Sequence, residues 1–180
     1  MKISPRNRGQ RFEQMVDLAN HTYRLKRIAH VRKTFPESKI QRDKKGTIQK
    51  HWFERSGGLD YMGTVDGRFI AFDAKSTRKN YLSVNKVTDE QYTELRRVLD
   101  FGGVSFLLVH FELHSETYLL EAEDALRWRN STERKSIPIE WFRERQTHRI
   151  YSRNGIILDY LDPIQEELAF KSTKSYTSED

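Results

Sequence analysis

Asp60, Asp73 and Lys75 are the residues of this chain whose types and spacing point most directly to chemistry. Asp60 stands in Leu59-Asp60-Tyr61-Met62-Gly63, and Asp73-Ala74-Lys75 follows thirteen positions later. Two carboxylates a few ångström apart repel unless a cation offsets them, and Mg²⁺ favours carboxylates plus waters. A cation so held activates water and offsets charge on phosphate oxygens. A lysine beside it can orient or help deprotonate that water, or stabilise the crowded phosphorane. The set fits phosphodiester hydrolysis. An Asp-x-Lys triplet by itself is common and reads equally well as a solvated ion pair on a strand.

What raises its weight is the local structure that the neighbouring residues predict. Val65-Asp66-Gly67-Arg68 is a hairpin turn, because Asp-Gly readily takes the positive φ angles a two-residue turn needs. Arg68 to Lys75 alternates, with Phe69, Ala71, Asp73 and Lys75 on one face and Ile70, Phe72 and Ala74 on the other. Leu59 to Met62 is short and extended. Folding back at the turn then sets Asp60 beside Asp73.

Other elements frame this hairpin. Phe12, Met15, Val16, Ala19 and Tyr23, widened by Leu18, form one apolar stripe and predict a helix from Gly9 to Arg27. Ile28 to Lys33 alternates as a strand, which Pro36 ends. Arg78 to Lys86 reads as a polar loop. Thr88 and Gln91 have capping-box spacing, opening a helix through Tyr92, Leu95, Val98 and Leu99 that Gly102-Gly103 stops. Val104 to Phe111 predicts a central strand, paired with Thr117 to Leu120, and Glu123 to Arg129 a short helix. Ser136–Pro138 and Trp141–Arg145 carry no clear pattern. The expected architecture is an α/β layer with a mixed sheet. A single domain is expected over residues 1–170, with 171–180 a polar, disordered tail.

Two further residues bear on the site. Glu13, beside Phe12 on the first helix, either completes a metal shell or is an exposed helix glutamate. Gln91 either reaches the site from a helix N-terminus or only caps that helix. The six histidines share no metal-binding spacing and read as surface or core residues.

Charge suggests a partner. The net charge is +6, yet residues 1–55 hold 15 Lys/Arg against 5 Asp/Glu. A basic front section on a near-neutral body suits a polyanion. Much of it lies in a predicted hairpin arm over about 36–53, turning at Asp43-Lys44-Lys45-Gly46. Lys39, Arg42, Lys44, Lys45, Lys50, His51 and Arg55 would contact DNA phosphates without reading sequence. Trp52 and Phe53 anchor the arm or stack on unpaired bases. There is no cysteine, which excludes disulfides and thiolate-bound metals and fits a reducing compartment. No signal peptide is evident, and no apolar run approaches the roughly 18–20 residues that span a bilayer.

These segments together resemble the RecU-type Holliday junction resolvases of the PD-(D/E)xK nuclease superfamily. The resemblance is carried by Gly9 to Glu13, Leu59 to Gly63, Gly67 to Lys75, the Gln91 helix and Gly102 to Val109. It implies a restriction-endonuclease-like mixed sheet flanked by helices, with a protruding basic β-hairpin stalk. It implies a homodimer that uses Mg²⁺, or Mn²⁺ as a substitute, to make paired symmetric nicks in a four-way DNA junction during recombination and repair. Asp60, Asp73 and Glu13 would hold the metal, with Lys75 and Gln91 completing the catalytic set. The family usually has Glu where this chain has Asp73. A cytoplasmic location, in a bacterial cell or a phage-infected host, is expected. On residues alone, a restriction-like or flap-selective nuclease and a non-catalytic junction-binding protein stay open.

Overall fold

The structure is a computed structural model that describes residues 5–35, 38–53, 58–131, 134–145 and 148–164. Arg55 and the expected tail at 171–180 lie outside the described residues.

A six-stranded mixed sheet organises the described residues, in the order 29–33, 61–65, 68–77, 104–111, 116–121 and 149–150. β4 (Tyr61–Val65) and β5 (Arg68–Thr77) form the predicted hairpin. Its turn residues Asp66 and Gly67 have φ of 48° and 75°, the left-handed pair that a tight hairpin demands. β1 (Ala29–Lys33) pairs antiparallel with β4. Their backbones approach so closely at Gly63 that a Cβ there would lie 2.1 Å from the His30 carbonyl oxygen. β7 (Val104–Phe111) lies parallel to β5, and β8 (Glu116–Glu121) and β10 (Arg149–Ile150) follow antiparallel.

Helices cover both faces. α1 (Pro5–Leu25) lays Phe12, Val16, Ala19 and Tyr23 against Ile70, Phe72 and Phe106. Leu18, expected to widen that stripe, is half exposed instead. The segment 156–164 closes the same layer. Tyr160 sits 5.0 Å from the Phe72 ring, and Tyr23 donates to Asp159 Oδ1 at 2.8 Å. On the other face α2 (Asp89–Asp100), α3 (Ala122–Asn130) and α4 (Ile139–Glu144) pack Leu95, Ala125 and Phe142 against Ala71, Leu107 and Val109. No described helix is long and apolar enough to cross a membrane.

The segment expected as a polar loop, Arg78–Lys86, contains β6 (Tyr81–Ser83) and a turn of 3₁₀ helix, with Leu82 and Val84 buried. β6 pairs with β9 (Ser136–Pro138), a partner too distant in sequence for local pattern to reveal. The remaining strands, β2 (Ser38–Arg42) and β3 (Ile48–Phe53), form a separate antiparallel pair, and no strand of the main sheet extends them.

Candidate active site

The β4–β5 register explains how the two aspartates meet. Tyr61 opposes Phe72, so one step beyond the last ladder pair Asp60 opposes Asp73. Directly opposed residues of an antiparallel pair point to the same face. Here that is the α2 face, with Tyr61, Phe72 and Phe106 stacked on the opposite face at centroid distances of 5.0 and 4.7 Å. Asp60 is fixed from behind. Leu59 is buried, Thr34 Oγ1 donates to the Leu59 carbonyl at 2.6 Å, and the Thr34 N–H donates to the Asp60 carbonyl at 2.8 Å.

Asp73 is wholly buried. Its Oδ1 accepts from Gln91 Nε2 at 2.7 Å. Its Oδ2 lies 2.5 Å from Lys75 Nζ in a buried ion pair. Burial raises the Asp73 carboxyl well above the ordinary carboxylate range. Lys75 opposes the rise and the neighbouring Asp60 adds to it. Lys75 Nζ also donates to Gln91 Oε1 at 3.1 Å. Gln91 therefore bridges the aspartate and the lysine. The same Oε1 accepts from the Thr88 N–H at 3.1 Å, completing the capping box of α2. The two alternatives raised for Gln91 are both realised, by opposite ends of one amide.

Two carboxylates on one face, one of them wholly buried, bring two negative charges against the single ammonium of Lys75, which leaves charge for a cation to offset. Asp60 and Asp73 fit a hard divalent cation on that ground. Glu13 pairs with Lys33 at 2.5 Å, and among the described residues no group of three acidic or histidine side chains is placed to hold a metal. Lys33 is the residue near the site that pattern reading missed. Burial works against its charge, but Glu13, Asp17 and Asp60 outweigh it and hold the ammonium above its ordinary value. Its position at the end of β1, opposite Tyr61, is set by strand pairing, which leaves no mark in local sequence.

Of the expected DNA contacts, Arg42, Lys44, Lys45 and Lys50 stand on or beside the β2–β3 turn and are exposed. Asp43 orders this turn, accepting from the Lys45 and Thr47 N–H groups at 2.8 and 2.9 Å. Lys39 and His51 lie on its two strands. The strand pair that carries them is separate from the sheet that holds Asp60 and Asp73.

The family model for Recombination protein U matches residues 7–166. The chain belongs to the RecU family. Similar relatives include the Holliday junction resolvase RecU of Streptococcus oralis, 32% identical over 93% of this chain and 88% of that protein. The Streptococcus pneumoniae (strain P1031) RecU is 31% identical over the same shares. A solved structure, the Holliday junction resolvase Hjc of Archaeoglobus fulgidus, superposes on 75% of this chain and 92% of its own with a TM-score of 0.47 and 10% identity. The RecU match spans both helical layers and all six strands of the main sheet, and so includes every residue of the pocket.

Proposed function

We propose that this chain is a Holliday junction resolvase, a divalent-metal-dependent endonuclease that makes paired symmetric nicks in four-way DNA junctions. The observation that carries the reading is Asp60 opposite Asp73 on one face, with the buried Asp73 carboxylate paired to Lys75. Family membership supports the substrate, since relatives are named for it.

Asp60 and Asp73 would hold Mg²⁺, with Mn²⁺ as a substitute. When bound, the metal supplies a water of lowered pKa and offsets charge on the phosphate. This chain's residues do the positioning. Gln91 fixes Asp73 through Oδ1. Lys75 pairs with Oδ2 in the metal-free protein and would yield that oxygen to the cation, leaving its ammonium to hold the attacking water and stabilise charge as it builds on phosphorus. Glu13 is spoken for by Lys33 and serves to place that cation near Asp60. The basic β2–β3 hairpin acts as a stalk for the junction, binding phosphates regardless of sequence.

Paired nicks need two hydrolytic centres, and the chain has one Asp60–Asp73 pair. A homodimer meets that requirement, one site for each opposed strand. The place of action is the cytoplasm of a bacterial cell or of its phage-infected equivalent.

Cleavage of a synthetic four-way junction, a flap and a linear duplex, each with and without Mg²⁺, tests the reading. Metal-dependent cutting of the junction at symmetric positions is expected. Preference for duplex would make the enzyme restriction-like. Junction binding with no cleavage in Mg²⁺ or Mn²⁺ would leave a binding protein only.

A further inference from the structure

Past Lys75, β5 continues through Ser76 and Thr77 and then turns. At that turn lies an open-sided cavity of about 220 Å³, whose lining includes Ser76, Arg78, Lys79, Tyr81, Lys86 and Glu112. It sits at the carboxyl ends of β5 and β7, the parallel pair of the sheet. Open α/β sheets place ligands outside such strand ends. Asp60, Asp73 and Gln91 do not line it, so it is distinct from the hydrolytic pocket.

Its side chains are ordered by local partners. Lys79 Nζ donates to the Tyr81 hydroxyl at 2.9 Å and lies 5.0 Å from that ring's centroid. Lys86 Nζ donates to the Ser76 carbonyl oxygen. Ser76 Oγ donates to Glu112 Oε1 at 3.1 Å. Arg78, Lys79 and Lys86 thus share the lining with one carboxylate, Glu112. Burial holds the Lys86 amine below its ordinary value; Glu112 opposes the shift, and the Lys75 and Lys79 ammoniums add to it. Like charges gathered around one concavity repel, and a bound anion relieves that repulsion. Both lysines are exposed, and each ammonium bonds to a protein acceptor beside the concavity.

The cavity lining begins at Ser76, the residue after Lys75 on β5, so the cavity adjoins the hydrolytic pocket along one strand. We propose that this cavity grips a backbone phosphate of the cleaved strand, one or two nucleotides from the scissile one, through Lys79 and Lys86. The role rests on the nuclease reading above and adds a subsite that sets how the strand lies across Asp60 and Asp73. Lys79 and Lys86 are positioning residues that hold the strand without touching the reacting phosphorus.

Pairing protein variants with neutral phosphates tests this. Junctions carrying a single methylphosphonate, moved through positions flanking the cut, are compared with the unmodified junction for wild type and for K79A/K86A. One position should lower wild-type affinity and kcat/KM by about tenfold, the worth of one charge-assisted hydrogen bond. The double variant should lose about tenfold on unmodified DNA and nothing further at that position. Lys86→Arg, which keeps the charge, should retain most of the wild-type response, and an unchanged thermal midpoint excludes misfolding. Losses that multiply at every position scanned would overturn the subsite. Because affinity is read alongside cleavage, the two proposals fail separately. A wild type that binds the junction but never cuts it defeats the nuclease reading, while the affinity comparison still decides the cavity.

Discussion

Gln91 and Asp73, eighteen residues apart, are joined by a 2.7 Å hydrogen bond from the amide Nε2 to the carboxylate Oδ1. Because Gln91 is also the third residue of α2 and part of its capping box, the helix terminus and the candidate metal pocket share one side chain. Any movement of the helix start is transmitted to the carboxylate. Two stacked layers of structure thereby fix Asp73: the β5 backbone beneath it and α2 above.

Replacing Gln91 with alanine should separate the site from the helix. The loss of half the capping box should lower stability by about 1 kcal/mol. Cleavage should fall about 10–100-fold, the usual effect of removing a group that orients a metal ligand, with junction affinity unchanged. Thr88→Ala is the control. It weakens the same cap, because Thr88 Oγ1 accepts from the Gln91 N–H, but spares the amide, so stability should drop while cleavage is nearly kept. Equal loss of activity in both variants would reduce Gln91 to a cap.

The raised carboxyl of Asp73 sets a pH dependence for the metal-free protein. The native state holds that proton more tightly than the unfolded chain does. Stability is therefore fully present below the ordinary aspartate value of about 3.9 and is lost as pH rises through the elevated native one. At pH 8 Asp73→Asn should be more stable than wild type without metal, since burial is the largest influence on the Asp73 carboxylate and exceeds the opposing Lys75 charge. Added Mg²⁺ should raise the thermal midpoint of wild type and leave the variant unmoved. A metal-free variant less stable than wild type at that pH would mean that the Lys75 pair outweighs the burial of Asp73.

Much of this site was legible before any coordinates. Alternation along Arg68–Lys75 put Asp73 and Lys75 on one face, and a two-residue turn at Asp66-Gly67 fixes the register that brings Asp60 opposite Asp73. Both are short-range rules. The parts that escaped depend on packing between distant segments. Lys33 reaches Glu13 because β1 happens to border β4, β6 finds β9 across more than fifty residues, and Tyr160 closes the core against Phe72 from the far end of the chain. Leu18 fits the apolar period of α1, but it lies on the flank that the sheet does not cover.

The stalk can be tested without touching the pocket. Changing Lys44, Lys45 and Lys50 together to alanine should weaken junction binding and make its dependence on salt shallower, by about 0.9 in log–log slope for each phosphate that the protein no longer neutralises. Cleavage at saturating junction should persist, because these residues lie outside the Asp60–Asp73 pocket. An unchanged slope would place the DNA elsewhere on the molecule.

The central claim is that Asp60 and Asp73 act as one cation-holding unit. Its most direct test measures junction binding and Mg²⁺-dependent cleavage for wild type, Asp60→Asn and Asp73→Asn side by side. Each variant should bind the four-way junction with near wild-type affinity and cut it at least about a thousandfold more slowly, as loss of an essential electrostatic group does. Undiminished metal-dependent cleavage by either variant would contradict the account.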